Sequence, residues 1–232
     1  MCIRDSLIPR EAYFALMDQA RRFGIPVSGH VPFAVTVEEA SDVGQASVEH
    51  LEGVLVAASS DRDQLRERIR AADTTDLVAI SSVFAELMPR AVATYDPNRA
   101  DSLYQQFITN GTWQVPTLAV LQAAAEAGTT EFPLTEYLRY MEPHLRQIWQ
   151  TAADGSSSAE QRAQQQDLFA HQLWIVGQLH RAGVQLLAGT DTFVSGFSLH
   201  DELELFVAAG LSPFQALQTA TLHPARYLEA VS

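Results

Sequence analysis

The hydrophobic pattern of the chain alternates between helix-type and strand-type segments. Between Arg10 and Arg22 apolar residues recur at helical spacing, and the pattern ends at a glycine, Gly24. Short apolar runs of the kind found in buried strands follow later in the chain. We predict four strands, within Ile25–Val31, Ala46–Leu51, Trp113–Val120 and Val184–Asp191. Because helical segments separate these strands, the pattern predicts an α/β protein with a parallel sheet.

Several helices are marked by residues that begin or end them. Thr36 precedes two glutamates, which favour the positive end of a helix dipole, and Gly44 closes that segment. The apolar segment Asp76–Met88 fits either a helix or a strand followed by a helix. Pro97–Ile108 is typical of a helix with proline in its first turn. After the last strand we predict three further helices, at His200–Ala209, Ser212–Ala220 and Pro224–Ala230.

A long helical stretch separates the third and fourth predicted strands. It is broken near Gly128 and Asp154, and we predict that residues of about 121–165 form a helical insertion. Insertions of this kind often cover an active site and influence the choice of substrate. Ordinary core packing explains their aromatic residues equally well, so both interpretations stay open.

Composition and charge exclude several classes of function. The 232 residues include 15 basic and 28 acidic ones, for a formal net charge of −13, which disfavours binding to nucleic acid or to anionic lipid. No run of about 18 apolar residues occurs, so no membrane span is predicted. The one cysteine, Cys2, excludes an intramolecular disulfide framework.

The first eight residues bear no clear relation to the helical pattern that follows. We expect residues 1–8 to be non-native and residues 9–232 to form the domain. The N-terminus has no apolar core of signal-peptide length. With the native start unknown, the sequence leaves the cellular compartment undetermined between cytoplasm and export.

Three of the four predicted strands contain a metal-ligand residue type at or near their ends: His30, His50 and Asp191. In a parallel α/β barrel the carboxyl ends of the strands meet at one mouth, where ligands and catalytic groups lie. Imidazole and carboxylate suit zinc and similar divalent cations. Each of these residues, taken alone, fits a structural role better than a metal-binding one. Their common position at strand ends makes a metal site and a purely structural role about equally well supported.

Local sequence resembles the metal-dependent amidohydrolase superfamily. The segments Gly24–Pro32, Ser47–Gly53, Val115–Leu118 and Leu187–Thr192 are similar to strands five to eight of that family, in order, and Ser198–Arg226 is similar to the helices after strand eight. The nearest subgroup is imidazolonepropionase-like and prolidase-like, whose members hydrolyse C–N bonds. The resemblance extends over nearly all of residues 9–230.

The resemblance implies a fold and a set of site residues. The fold is a partial (β/α)8 TIM-type barrel covering about strands 5–8, with the helical insertion between strands 7 and 8. His30 and His50 then correspond to metal ligands. Asp191 corresponds to a ligand that also takes a proton from a metal-activated water and returns it to the leaving nitrogen. The implied cofactor is a divalent metal, zinc above all, with one or two ions in the complete protein.

The chain also departs from the family pattern. It contains no His-x-His pair, the strand-one motif, and no lysine, the strand-four ligand of binuclear members. Four strands do not close an eight-stranded barrel. We therefore expect this chain to be a fragment of an amidohydrolase, with activity expected of the parent protein and undetermined for the fragment.

Two further residues have alternative roles. His200 contacts substrate, or pairs with Glu204 one helical turn away. Glu52 accepts a hydrogen bond from a ligand imidazole, with alternation pointing it to the side of His50, or is a solvated loop carboxylate.

The sequence therefore predicts a hydrolase of amide, cyclic amide or dipeptide-like C–N bonds acting on a small-molecule substrate. The alternative is a non-catalytic α/β binding module that has lost its metal site. A doubly wound fold that binds an anion is disfavoured, because no glycine-rich phosphate loop follows a strand. A homo-oligomer is compatible with the sequence.

Overall fold

The structure is a computed structural model that describes residues 1–3, 5–127, 135–147, 158–192 and 196–229. It is a mixed α/β protein built on a parallel sheet. Four strands lie side by side in chain order: β1 (Cys2–Ile3), β2 (Val27–Gly29), β3 (Gln45–Glu49) and β4 (Trp113–Val115). The predicted α/β class and parallel pairing are confirmed.

Helices connect and follow these strands. Those before β4 are α1 (Arg10–Arg22), α2 (Val37–Asp42), α3 (Val54–Ala58), α4 (Arg62–Arg70), α5 (Leu77–Ala93) and α6 (Pro97–Asn110). Those after it are α7 (Leu118–Glu126), a 3₁₀ helix (Thr135–Tyr140), α8 (Ala159–Ala182), α9 (Ser198–Ala208), α10 (Pro213–Thr219) and α11 (Leu222–Tyr227). The three predicted C-terminal helices match α9, α10 and α11 closely. Parts of the predicted insertion, residues 128–134 and 148–157, lie outside the described residues.

Local sequence explains where several helices begin. Thr36 accepts a hydrogen bond from the Glu39 backbone, and the Glu39 carboxylate accepts one from the Thr36 backbone, which completes a capping box at α2. The Asp76 carboxylate accepts hydrogen bonds from the first turn of α5, so the segment left open above is a helix. Gly111 ends α6 in the left-handed conformation.

The chain divides into two compact units. The first comprises Met1–Val115 and Leu179–Leu186 and contains the sheet and α1–α6. Its core includes Tyr13, Val27, Val48 and Phe107, all essentially inaccessible to solvent. The second comprises Pro116–Gln178 and Leu187–Ser232. In this unit α9 packs against α7 and α10 around the buried Phe206.

Three features of the sheet differ from the prediction. The strand predicted within Trp113–Val120 ends at Val115, and α7 begins at Leu118. Cys2–Ile3, in the segment predicted to be non-native, pairs in parallel with Ser28 and Gly29; the origin of residues 1–8 stays a prediction. The predicted strand Val184–Asp191 is reduced to one parallel bridge, between Leu186 and Gln114. The reason is that the next backbone groups bond elsewhere: the Ala188 N–H donates to the Thr219 carbonyl. The numbering of these strands within a barrel stays a prediction.

A buried carboxyl group caps α7 in the second unit. The residue before this helix, Thr117, is in the left-handed conformation and its side chain makes no capping hydrogen bond. Instead Glu202, fully buried on α9, accepts a hydrogen bond from the Ala119 N–H at 2.7 Å. Burial raises the pKa of Glu202 to about 8, although the N–H groups of Ala119 and Leu118 lower it in part.

Across the described residues, no helix combines the length and the apolar character that crossing a membrane requires.

Candidate metal centre

The position of His30 depends on the glycine before it. Gly29, the last residue of β2, has a φ of +113°, and a Cβ atom there would lie 2.1 Å from the carbonyl oxygen of Ile3. The absence of a side chain lets β2 approach β1 closely. The His30 N–H then donates to that same Ile3 oxygen at 2.9 Å. His30 is thereby fixed at the carboxyl end of β2.

A buried glutamine sets β2 against β3. Gln45 Nε2 donates to the carbonyl oxygens of Gly29 and Ser47, each at 2.9 Å, and Gln45 Oε1 accepts from the Tyr13 hydroxyl at 2.7 Å. The register of the two strands shifts after Val27, and beyond the shift Gly29 lies opposite Val48. The next residues of the two strands, His30 and Glu49, are consequently neighbours.

The backbone turns sharply after β3. His50 and Leu51 both have a φ of +56°, in the left-handed region that side-chain-bearing residues rarely adopt. In a regular strand Glu49 and His50 point to opposite faces of the sheet. The left-handed turn brings both side chains to one point instead, and the His50 N–H donates to the Val115 carbonyl of β4 at 3.0 Å.

Three ligand atoms meet at this point. His30 Nε2 lies 3.2 Å from His50 Nε2 and 3.4 Å from Glu49 Oε2, and His50 Nε2 lies 4.0 Å from the same Glu49 oxygen. The side chains are half-buried, with exposed fractions of 19%, 15% and 25% for His30, His50 and Glu49. Among the described residues, these three form the group able to hold a metal ion.

The spacing of these atoms fits a single divalent cation. The point equidistant from all three lies about 2.1 Å from each, which matches zinc–nitrogen and zinc–oxygen bonds of about 2.0–2.2 Å. Two imidazoles and a carboxylate are also the ligand types that zinc and related transition metals take. The residues present therefore fit such an ion.

The two imidazoles complement one another. Their rings meet edge to face, with centroids 4.7 Å apart. A hydrogen bond between the two Nε2 atoms requires one of them to carry a proton and the other to accept it. If both Nε2 atoms bound a cation, the imidazole that donates this hydrogen bond would have to carry its proton on Nδ1 instead, because a ligand nitrogen must present its lone pair.

The predicted site residues lie in both units. His30 and His50, predicted as ligands, are brought together in the first. Asp191 belongs to the second unit, exposed and with a φ of +44°, and its role stays a prediction. His200 is exposed in the first turn of α9, in the second unit, and its contact with substrate also stays a prediction. Glu52 contacts His30 rather than His50, with its Oε1 3.0 Å from His30 Nδ1.

Sequence reasoning missed Glu49. Strict alternation along a strand places this residue and His50 on opposite faces, so the acidic neighbour received no role. The signal that was present is the pairing of two strands that both end at a histidine: the last residue of β3 then lies beside His30.

No family model and no curated protein matches this chain. Several solved structures are similar to this chain. The structure is similar to bottromycin amidohydrolase, with a TM-score of 0.69 and 25% sequence identity over 97% of this chain and 45% of that one. It is also similar to A. niger ochratoxinase, with a TM-score of 0.52 and 18% identity over 95% of this chain and 34% of that one. A Xaa-Pro dipeptidase structure matches with a TM-score of 0.49 and 18% identity over 93% and 36% of the two chains.

Bottromycin amidohydrolase is a member of the amidohydrolase superfamily, so the resemblance to that superfamily inferred from the sequence is confirmed. This chain spans less than half of the length of each of these three structures.

Proposed function

We propose that this chain carries part of the metal centre of a hydrolase that cleaves C–N bonds of the amide, cyclic amide or dipeptide type. His30, His50 and Glu49 are the ligands in the first unit. The observation that carries the proposal is the triangle formed by His30 Nε2, His50 Nε2 and Glu49 Oε2, whose dimensions suit one divalent cation.

The residues have distinct chemical roles in this proposal. His30 and His50 supply neutral nitrogen donors, and Glu49 supplies a negative charge that offsets part of the charge of the cation. When bound, a divalent cation lowers the pKa of water and polarises a carbonyl group. Asp191 takes a proton on its carboxylate and returns it to the leaving nitrogen; this role, and its role as a ligand, rest on the resemblance to amidohydrolases.

Substrate turnover is proposed for the whole protein, since this chain spans less than half of the structures it resembles. The bottromycin amidohydrolase and the Xaa-Pro dipeptidase carry names that refer to amide or dipeptide bonds, and a small-molecule substrate with such a bond is the class we propose. Zinc is the cation that we expect, because the ligands are two imidazoles and one carboxylate.

Cation binding by the purified 232-residue chain tests the metal centre directly. We expect zinc or cobalt to bind with about one equivalent. His30→Asn, His50→Asn and Glu49→Gln should each weaken binding by at least about tenfold, since each removes one ligand atom. Competition with a chelating dye measures the affinity, and the visible spectrum of bound cobalt reports its coordination.

His144→Asn is the matched control, because His144 is an exposed histidine outside the group of three. It should bind the cation as the unmodified chain does. A folded chain that takes up no cation, or whose affinity is the same in all of these variants, would contradict the proposal and favour the non-catalytic binding module.

A further inference from the structure

The ring nitrogen of His30 that faces away from the ligand triangle has two polar neighbours. Nδ1 of His30 lies 2.8 Å from the Ser6 hydroxyl oxygen and 3.0 Å from Glu52 Oε1. The Ser6 hydroxyl in turn donates a long hydrogen bond, 3.4 Å, to the same Glu52 oxygen. Ser6, His30 and Glu52 therefore contact one another on the side of the His30 ring that faces away from the ligand triangle.

Glu52 is held at both of its oxygens. While Oε1 faces His30, Oε2 accepts the backbone N–H of Val31 at 2.6 Å. The side chain is 18% exposed, and the Glu52 backbone N–H donates to the Glu49 carbonyl within the left-handed turn. The carboxylate thus bridges the turn after β3 to the end of β2, and it has little freedom to move away from the ring.

This arrangement selects one tautomer of His30. An ionised carboxylate only accepts hydrogen bonds, so the nitrogen beside Glu52 must carry the proton. The other nitrogen, Nε2, is then left with a lone pair directed at His50 and Glu49. An acceptor behind a ligand imidazole fixes both the tautomer and the ring orientation and raises the basicity of the ligand.

We propose that Glu52 is a positioning residue that holds His30 in the Nδ1–H tautomer with Nε2 ready to bind a cation. The inference rests on the proposed function in one respect, which is that Nε2 of His30 is a metal ligand. The tautomer itself follows from contacts within the first unit and is measurable without any metal.

The experiment combines a spectroscopic measurement with a binding measurement. The full 232-residue chain, labelled with ¹⁵N and free of metal, is examined by long-range ¹H–¹⁵N correlation, which distinguishes the two neutral tautomers of each histidine. We expect His30 to be in the Nδ1–H form. In Glu52→Ala the preference should be lost, and zinc affinity should fall by about 10- to 100-fold.

Two further variants refine the test. Glu52→Gln keeps the volume and one acceptor oxygen, which serves either His30 or Val31 but not both, and it should give an intermediate loss. Ser6→Ala removes the uncharged neighbour of His30 Nδ1 and should lower the zinc affinity less than Glu52→Ala, which removes the carboxylate. Glu38→Gln is the matched control: Glu38 is similarly half-buried, at 21% exposure, and pairs with Arg66 away from the site. It should change neither the tautomer nor the affinity.

Each outcome distinguishes this inference from the proposed function. An Nε2–H tautomer for His30 in the unmodified chain would overturn the positioning role without any variant. A preference for Nδ1–H that survives in Glu52→Ala, with unchanged zinc affinity, would overturn it as well. A chain with the expected tautomer that binds no cation would contradict the metal centre and leave the hydrogen-bonding role of Glu52 intact.

Discussion

Glu202 combines full burial with a carboxyl group at the start of a helix. With a pKa of about 8, it keeps its proton in the folded protein at neutral pH, whereas a glutamate in the unfolded chain, with a pKa near 4.5, does not. The folded state binds the additional proton between these two values. The stabilisation is therefore complete below pH 4.5 and is lost as the pH rises through 8.

Replacing Glu202 with glutamine should remove this pH dependence. Glutamine keeps a carbonyl oxygen for the Ala119 N–H and never ionises. We expect the free energy of unfolding of Glu202→Gln, relative to the unmodified chain, to increase by up to roughly 4 kcal/mol between pH 4.5 and pH 8.

Urea unfolding at several pH values measures the difference. Glu204→Gln, on the same helix but exposed, is the matched control for the loss of one carboxylate. A constant difference between Glu202→Gln and the unmodified chain across this range would refute the raised pKa.

At the residue scale, sequence reasoning identified the two histidines that the structure brings together. They were recognisable because strand ends converge in parallel α/β folds and because their local motifs resemble a family. Glu49 was harder to recognise, since its side chain meets that of His50 only because of the positive φ of the two residues that follow it. Histidine is enriched in the left-handed region but leucine is not, and no glycine or asparagine marks the turn at His50 and Leu51, so the sequence gives only a weak indication of it.

At the scale of elements, the contact between β1 and β2 depends on Gly29. A Cβ there meets a backbone atom, the Ile3 oxygen, whereas a Cβ at Gly24 meets nothing within 4 Å although φ is also positive. Gly24→Ala should therefore cost about 1–2 kcal/mol of backbone strain. Gly29→Ala should cost at least about 2 kcal/mol more, because an element must shift.

Chemical denaturation of the two variants gives the comparison directly. Gly24→Ala is the control for a positive φ without a steric clash, and the φ of +113° at Gly29, farther from the left-handed helical region, adds to the cost there. Equal costs at the two positions would contradict the close approach of β1 to β2, in which a Cβ at residue 29 would lie only 2.1 Å from the Ile3 oxygen.

Helices were more predictable than strands. Capping residues such as Thr36 and Ser212 act locally, so the nearby sequence is sufficient to locate the starts of the helices that they cap. The start of α7 is different, because its cap is the distant Glu202. Strands depend on partners. Leu186 has one bridge to β4, and its successors bond to Thr219, which no local pattern reveals. The strand Cys2–Ile3 is too short to give a periodic signal.

At the scale of the whole molecule, the predicted site residues are divided between two compact units. His30 and His50 belong to the first, together with Glu49, which was not predicted, and Asp191 belongs to the second. The α/β class was predictable because helical and strand patterns alternate over long stretches. The assignment of these strands as strands five to eight of a barrel rests on resemblance to a family and not on the hydrophobic pattern, and it stays a prediction.

Asp191→Asn tests whether Asp191, the predicted ligand of the second unit, participates. Asparagine tolerates a positive φ well, so the backbone at +44° is preserved and only the charge is lost. We expect zinc affinity to fall by at least about tenfold, as for the loss of any ligand.

Asp167→Asn, at an exposed position of α8, should leave the zinc affinity unchanged. If Asp191→Asn behaves in the same way as this control, Asp191 is not a ligand in this chain, and the site consists of His30, Glu49 and His50.

The left-handed backbone at His50 also bears on how such a site persists in evolution. Glycine at this position would relieve the strain that a φ of +56° imposes on a histidine, but it would also remove a ligand. Backbone strain and metal binding therefore favour different residues at position 50. Where stability alone is selected, glycine is favoured by the backbone at this position, and only the chemistry of the imidazole favours histidine.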